Sequence, residues 1–116
     1  MKIAATYRVA APAPAVFEAL TDPAVLRGCL PGCEKLDPVE TGVFEATLKI
    51  GLPGLKGTYT GRAVLSDLVP PVAFRIAGDG KGAPGFVRGS ALIRLTEVAD
   101  GTEVACEAEI GVGGVL

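Results

Sequence analysis

Apolar and polar residues alternate from Lys2 to Val9, with Ile3, Ala5, Tyr7 and Val9 on one face and Lys2, Ala4, Thr6 and Arg8 on the other, which predicts a first strand. The period then changes. Val16, Phe17 and Leu20 recur at helical spacing behind Pro14, a suitable first-turn residue, after the break at Ala11 to Pro14. Asp22 and Pro23 open a second short helix, because Asp can cap it and proline lacks only an N–H that would have no intrahelical partner. Pro31 and Gly32 are expected to end it. From there the pattern is strand-like throughout. Lys35 to Val39 reads as a strand, and Glu40, Thr41 and Gly42 make a turn. Phe44, Ala46, Leu48 and Ile50 then alternate with Val43, Glu45, Thr47 and Lys49. After the glycine-rich stretch Gly51 to Gly57, a long strand runs from Thr58 to Leu68 with Tyr59, Ala63 and Leu65 facing one way and Gly61 marking a bend.

Pro70 and Pro71 punctuate the next connection, and Val72, Phe74 and Ile76 alternate with Ala73, Arg75 and Ala77. Four glycines among eight residues make Gly78 to Gly85 a loop by composition, with a strand from Phe86 to Thr96 beyond it. Asp100 and Gly101 form a tight turn, and Thr102, Val104, Cys106, Ala108, Ile110 and Val112 alternate with Glu103, Ala105, Glu107 and Glu109. The glycines at 111, 113 and 114 read as that strand running out. Strands gathered after two helices predict an α+β domain spanning residues 1–116, with one curved antiparallel sheet of six to seven strands and two short helices covering part of its apolar face. The inward sets hold many small residues, among them Ala5, Ala46, Ala63 and Ala91, and the chain has no tryptophan. A ligand groove and close helix-on-sheet packing both fit that composition.

At 116 residues the chain is one domain, large enough to bury roughly two thirds of its unfolded surface. Its 49% apolar and 21% charged residues and net charge of -2 describe an ordinary globular protein with no pull on polyanions. The lysines and arginines are scattered and aromatics are only 5%, so neither a basic run nor a stacking platform for nucleic acid exists. No signal peptide or bilayer-length apolar run is present, and three cysteines suit a reducing compartment, so a cytoplasmic location is expected.

The absence of histidine removes the commonest general base and the usual catalytic triads. Glu18, Glu34, Asp67 and Asp79 are candidate acids by position, each reading equally as a solvated face, cap or turn residue. No residue is assigned to catalysis. Glu103, Glu107 and Glu109 share a strand face that reads as hydrated rather than metal-binding. Cys29 and Cys33 lie four apart across a turn, but two cysteines without histidine fall short of a structural zinc site, so neither a metal nor a cofactor is expected and Cys29, Cys33 and Cys106 are read as small apolar residues. The glycine-rich stretch lacks the lysine-serine ending of a phosphate loop.

Across Lys2, Ile3; Ala11, Pro12, Val16; Asp22, Pro23; Leu30, Pro31, Gly32, Cys33, Glu34; and the glycines between Gly78 and Gly89, the chain resembles the carbon monoxide dehydrogenase CoxG family, a START-like branch of the polyketide cyclase superfamily. The resemblance implies a helix-grip fold, in which a curved antiparallel sheet grips a long C-terminal helix around a hydrophobic cavity. It also implies a noncatalytic accessory role beside a carbon monoxide dehydrogenase or related molybdenum hydroxylase, handling a quinone or lipid. Peripheral attachment at the inner face of the plasma membrane follows from the same likeness. The ligand-lining residues expected on this reading are Phe17, Leu20, Leu26 and Leu30 from the helices and Phe44, Leu48, Tyr59 and Phe74 from the sheet. An interaction module that recruits or matures the dehydrogenase and a cyclase-like enzyme are the alternatives. The family's gripping helix has no counterpart before Leu116, so the chain reads as truncated at its C-terminus. Its uncovered apolar face is then expected to drive self-association, through that face or through a sheet edge.

Overall fold

In a computed structural model the described residues are 1–30, 32–51, 53–54 and 56–114. Strand β1 (Lys2–Val9) is followed by helices α1 (Ala13–Leu20) and α2 (Pro23–Cys29). Six strands come next: β2 (Cys33–Glu40), β3 (Val43–Ile50), β4 (Gly57–Val69), β5 (Ala73–Gly82), β6 (Gly85–Val98) and β7 (Gly101–Gly114). They form one seven-stranded sheet in the order β1-β7-β6-β5-β4-β3-β2, antiparallel at every pairing. Six consecutive hairpin-linked strands form a meander, and β1 returns beside the last of them. The two helices are the link between the sheet's opposite edges, β1 and β2, which is why they lie across its face.

Local chemistry sets the helix ends. Asp22 accepts a hydrogen bond from the Ala24 N–H at 3.0 Å, so the expected cap is formed, with Pro23 directly behind it. At the other helix the Thr21 hydroxyl donates to the Phe17 carbonyl at 2.8 Å, satisfying an acceptor that the last turn leaves open. Pro31, expected to end α2, and Leu116, the expected truncation point, lie outside the described residues. The turn from β1 into α1 is fixed by Thr102, which is fully buried and donates from its hydroxyl to the Ala11 carbonyl at 2.7 Å.

The glycine-rich stretch departs from the sequence expectation. Residues 78–82 continue β5, and only Ala83 and Pro84 make the turn into β6. Phe74, Ile76, Gly78, Gly80 and Gly82 keep strict two-residue spacing, so the glycines occupy inner-face positions of an unbroken strand. Close approach explains them: a Cβ at Gly78 would lie 2.9 Å from the Arg62 carbonyl oxygen, and one at Gly82 would lie 2.5 Å from that of Thr58. Gly82 also leaves room for the Tyr59 ring, which a Cβ would approach to 3.2 Å. Glycine here lets β4 and β5 coil tightly together, and does not loosen the chain. The final glycines also remain in the ladder, since β7 pairs with β6 as far as Gly114 opposite Gly85.

Two clusters form the core, both between the helices and the inner face. Val16 and Phe17 of α1 pack on Phe74, Leu95 and Val104, with the Phe17 and Phe74 rings edge to face at 5.6 Å. Leu26 of α2 packs with Leu36, Phe44 and Ala63. Leu65 touches both.

Candidate functional site

Cross-strand register places the inner-face side chains in rows. Leu65, Ile76, Ala91, Ala108 and Ile3 form one row, and Ala63, Gly78, Gly89 and Ile110 the next, farther from the helices. Leu48 and Tyr59 face each other at one side of these rows, and Ile3, Tyr7 and Val112 stand at the other. The middle of the face is therefore floored by Gly78, Gly89, Ala91 and Ala108, with bulkier apolar side chains on two sides. Neither helix reaches this region. Tyr7 remains 60% exposed, Val112 53% and Ile3 43%, which is unusual for apolar residues on the core side of a sheet. The face is an open, apolar trough with a small-residue floor.

The eight residues expected to line a ligand site fall into three groups. Phe17 and Phe74 belong to the core beneath α1, with half-buried Leu20 packed against them, and Leu26 and Phe44 belong to the core beneath α2, with half-buried Leu30 beside them. Tyr59, only 1% exposed, and half-buried Leu48 form a cross-strand pair outside both clusters, at the rim of the trough. The structure thus brings seven of them to the helix-covered end or the rim, with Phe74 in the centre. The sequence reading missed Gly78, Gly89 and Ala108. Their signal was the two-residue spacing that runs on through the glycines behind Phe74 and Ile76.

Polar chemistry is concentrated on the opposite face. Arg62, Asp79 and Arg88 lie in adjacent register across β4, β5 and β6, beside shallow depressions of about 620 and 430 Å³. These open hollows are lined by the outward residues of the strands and share no bulky apolar wall. Glu103 and Glu109 stand opposite Arg8 and Lys2 of β1, so that acidic face supplies cross-strand counter-charges. Among the described residues no three acidic or thiol side chains converge as a metal site. Asp67 pairs with Arg75 at 3.3 Å, in a bulge where its backbone is left-handed (φ 51°), which Asp tolerates better than most residues.

All three cysteines are free thiols. Cys29 is exposed at the end of α2, and the Cys33 thiol donates to the Lys35 carbonyl at 3.4 Å. Cys106 lies on the trough side of β7, where burial, and then the neighbouring Glu107 carboxylate, push its thiol above the ordinary value. The raised value belongs to the folded state, so folding is favoured most below the ordinary thiol pKa and loses that contribution as pH rises through the raised one. Two results are expected: iodoacetamide at mildly alkaline pH modifies Cys29 well before Cys106, and the stability lost on going to strongly alkaline pH shrinks in Cys106→Ala. Peptide mass spectrometry and urea titrations check them, and equal labelling rates would contradict the burial of Cys106.

No helix among the described residues is long and apolar enough to cross a membrane. Solved structures share this architecture. A conserved protein from Geobacillus kaustophilus matches with a TM-score of 0.86 at 29% identity, over 98% of this chain and 76% of its own. A protein from Deinococcus radiodurans (TM-score 0.75, 15% identity, 96% of this chain and 82% of its own) and one from Rhizobium leguminosarum (TM-score 0.72, 16% identity, 97% and 77%) share the fold. No curated protein matches the sequence. Residues 6–116, from the middle of β1 through the whole meander, match the carbon monoxide dehydrogenase CoxG family. With its seven-stranded helix-grip-like sheet and its two helices inserted after the first strand, the chain belongs to the CoxG family.

Proposed function

We propose that this protein is a noncatalytic accessory of a carbon monoxide dehydrogenase or related molybdenum hydroxylase, and that it carries a hydrophobic small molecule, a quinone or lipid, on the inner face of its sheet. Family membership supports the accessory role. The observation that carries the ligand reading is the trough itself: a floor of Gly78, Gly89, Ala91 and Ala108 beside apolar walls, left uncovered by both helices. Small side chains create volume, and apolar walls favour a ligand whose surface is mostly hydrocarbon. In this reading Leu20, Leu30 and Leu48, each half-buried, contact the ligand, while Phe17, Leu26, Phe44, Tyr59 and Phe74 back the site from the core. Peripheral membrane association would bring such a carrier to a source of quinone or lipid.

A soluble quinone analogue such as decylubiquinone is expected to bind, as measured by isothermal titration calorimetry. Ala108→Trp is expected to weaken binding at least tenfold, because the indole fills the floor; a tenfold loss corresponds to about 1.4 kcal/mol. Circular dichroism establishes that the variant is folded. Unchanged affinity in folded Ala108→Trp would move the site off this face, and no binding of any apolar probe would favour recruitment of the dehydrogenase without a small ligand.

A further inference from the structure

The two edges of the sheet differ. β2 carries devices that obstruct pairing with another strand: Pro38, register shifts between Cys33 and Lys35 and between Pro38 and Glu40, and the packing of Leu26 from α2 on Leu36. β1 has none of these. It runs for eight residues without proline, glycine or bulge, in unbroken register with β7 from Lys2 opposite Glu109 to Val9 opposite Thr102, and among the described residues nothing pairs with its far side.

The backbone polarity of that open edge follows from its end. The Met1 ammonium donates to the Ile110 carbonyl at 2.8 Å, and the Ile110 N–H donates to the Met1 carbonyl at 2.8 Å. Odd-numbered residues of β1 therefore exchange both backbone bonds with β7, while Lys2, Ala4, Thr6 and Arg8 turn their N–H and C=O groups to the open side. Inner-face Ile3, Tyr7 and Val9, which are 43%, 60% and 39% exposed, border the same edge.

We propose that β1 is a dimerisation edge whose partner is the β1 strand of a second copy, paired antiparallel about a twofold axis at Thr6. Charge selects this register. A twofold axis normal to the sheet must pass through a residue, so that paired side chains fall on one face. Centred on Ala5, pairing would set Lys2 against the partner's Arg8, two like charges directly opposed. Centred on Thr6, it sets Arg8 against Ala4 and Lys2 against Ala10, and on the inner face it sets Ile3 against Val9 and Ala5 against Tyr7. The open amides of Ala4, Thr6 and Arg8 are all satisfied, and exposed apolar side chains meet across the seam.

The 116-residue chain, of 11.8 kDa, is expected to sediment at twice that mass in the micromolar range, with dissociation on dilution. Thr6→Pro removes the donor at the axis twice per dimer without touching a bond to β7, and is expected to give a folded monomer. Ala4→Lys is the second variant. Its ammonium gains Glu107 of its own chain as a cross-strand neighbour but opposes the partner's Arg8, so the dimer should weaken about tenfold while the monomer keeps its fold. A monomer at every concentration overturns the proposal. So does a dimer that survives in folded Thr6→Pro, which would place the contact on the open trough, and a dimer indifferent to Ala4→Lys overturns the Thr6 register.

Discussion

Phe74→Ala is expected to lower the free energy of unfolding by about 3–5 kcal/mol, the cost of removing a buried aromatic ring from a site that cannot collapse. Phe74 is 1% exposed at the middle strand of the sheet, with the Phe17 ring edge to face above it and Leu95 and Val104 beside it. The ring is the principal contact between α1 and the sheet, so its loss leaves Phe17 without its aromatic partner and opens a cavity bounded by two elements. In a domain whose total stability is on the order of 5–15 kcal/mol, that is a large fraction. Urea titration followed by circular dichroism measures it, with Val72→Ala as the control. Val72 is half exposed two residues away and should change stability by less than about 0.5 kcal/mol. A loss below about 1 kcal/mol for Phe74→Ala would mean that α1 does not depend on this contact.

Gly61→Val should destabilise the fold by about 3 kcal/mol or more, at the upper end of what overpacking costs. A Cβ on Gly61 would collide with the Asp79 carbonyl oxygen and lie 2.7 Å from the Gly80 Cα, and every one of these atoms is backbone. No rotamer change can relieve the clash. The sheet would have to open where β4 and β5 coil, with Gly61 directly opposite Gly80. Gly111→Ala provides the contrast, because a Cβ there meets only the Arg88 carbonyl oxygen at 3.9 Å, an ordinary contact, and little change is expected. Equal stability of the two variants would show that the closeness of β4 and β5 is not what glycine serves.

Most of the element order was legible in the chain because two physical periods, 2.0 and 3.6, map directly onto backbone geometry. β1 and β3 lie at their predicted bounds, the Asp22 cap forms as its residue type demands, and the change from helical to strand spacing after Gly32 places every later element in the sheet. The glycines of β5 were read as a loop because composition at 78–85 outweighed the spacing that continued through them. Glycine is permissive on its own but is required here by a neighbouring strand that is distant in sequence, and only the pairing of β4 with β5 reveals that requirement.

The candidate site divides the same way. That Phe17, Leu26, Phe44 and Phe74 face inward follows from alternation and helical spacing, which the sequence determines by itself. Which of them are consumed in packing depends on where α1 and α2 dock, and that is a tertiary matter: α1 covers the Phe74, Leu95 and Val104 end, α2 covers Leu36 and Phe44, and the rows through Gly78, Gly89, Ala91 and Ala108 are left open. Likewise the sequence specifies β1 as a regular amphipathic strand, but its position as an unguarded edge, opposite the obstructed edge at β2, comes from the order of strands in the sheet. Side-chain period is a local property of the backbone and is written residue by residue. Exposure is set by what lies across from a residue, and for this sheet those neighbours are as far apart in the chain as Lys2 and Glu109.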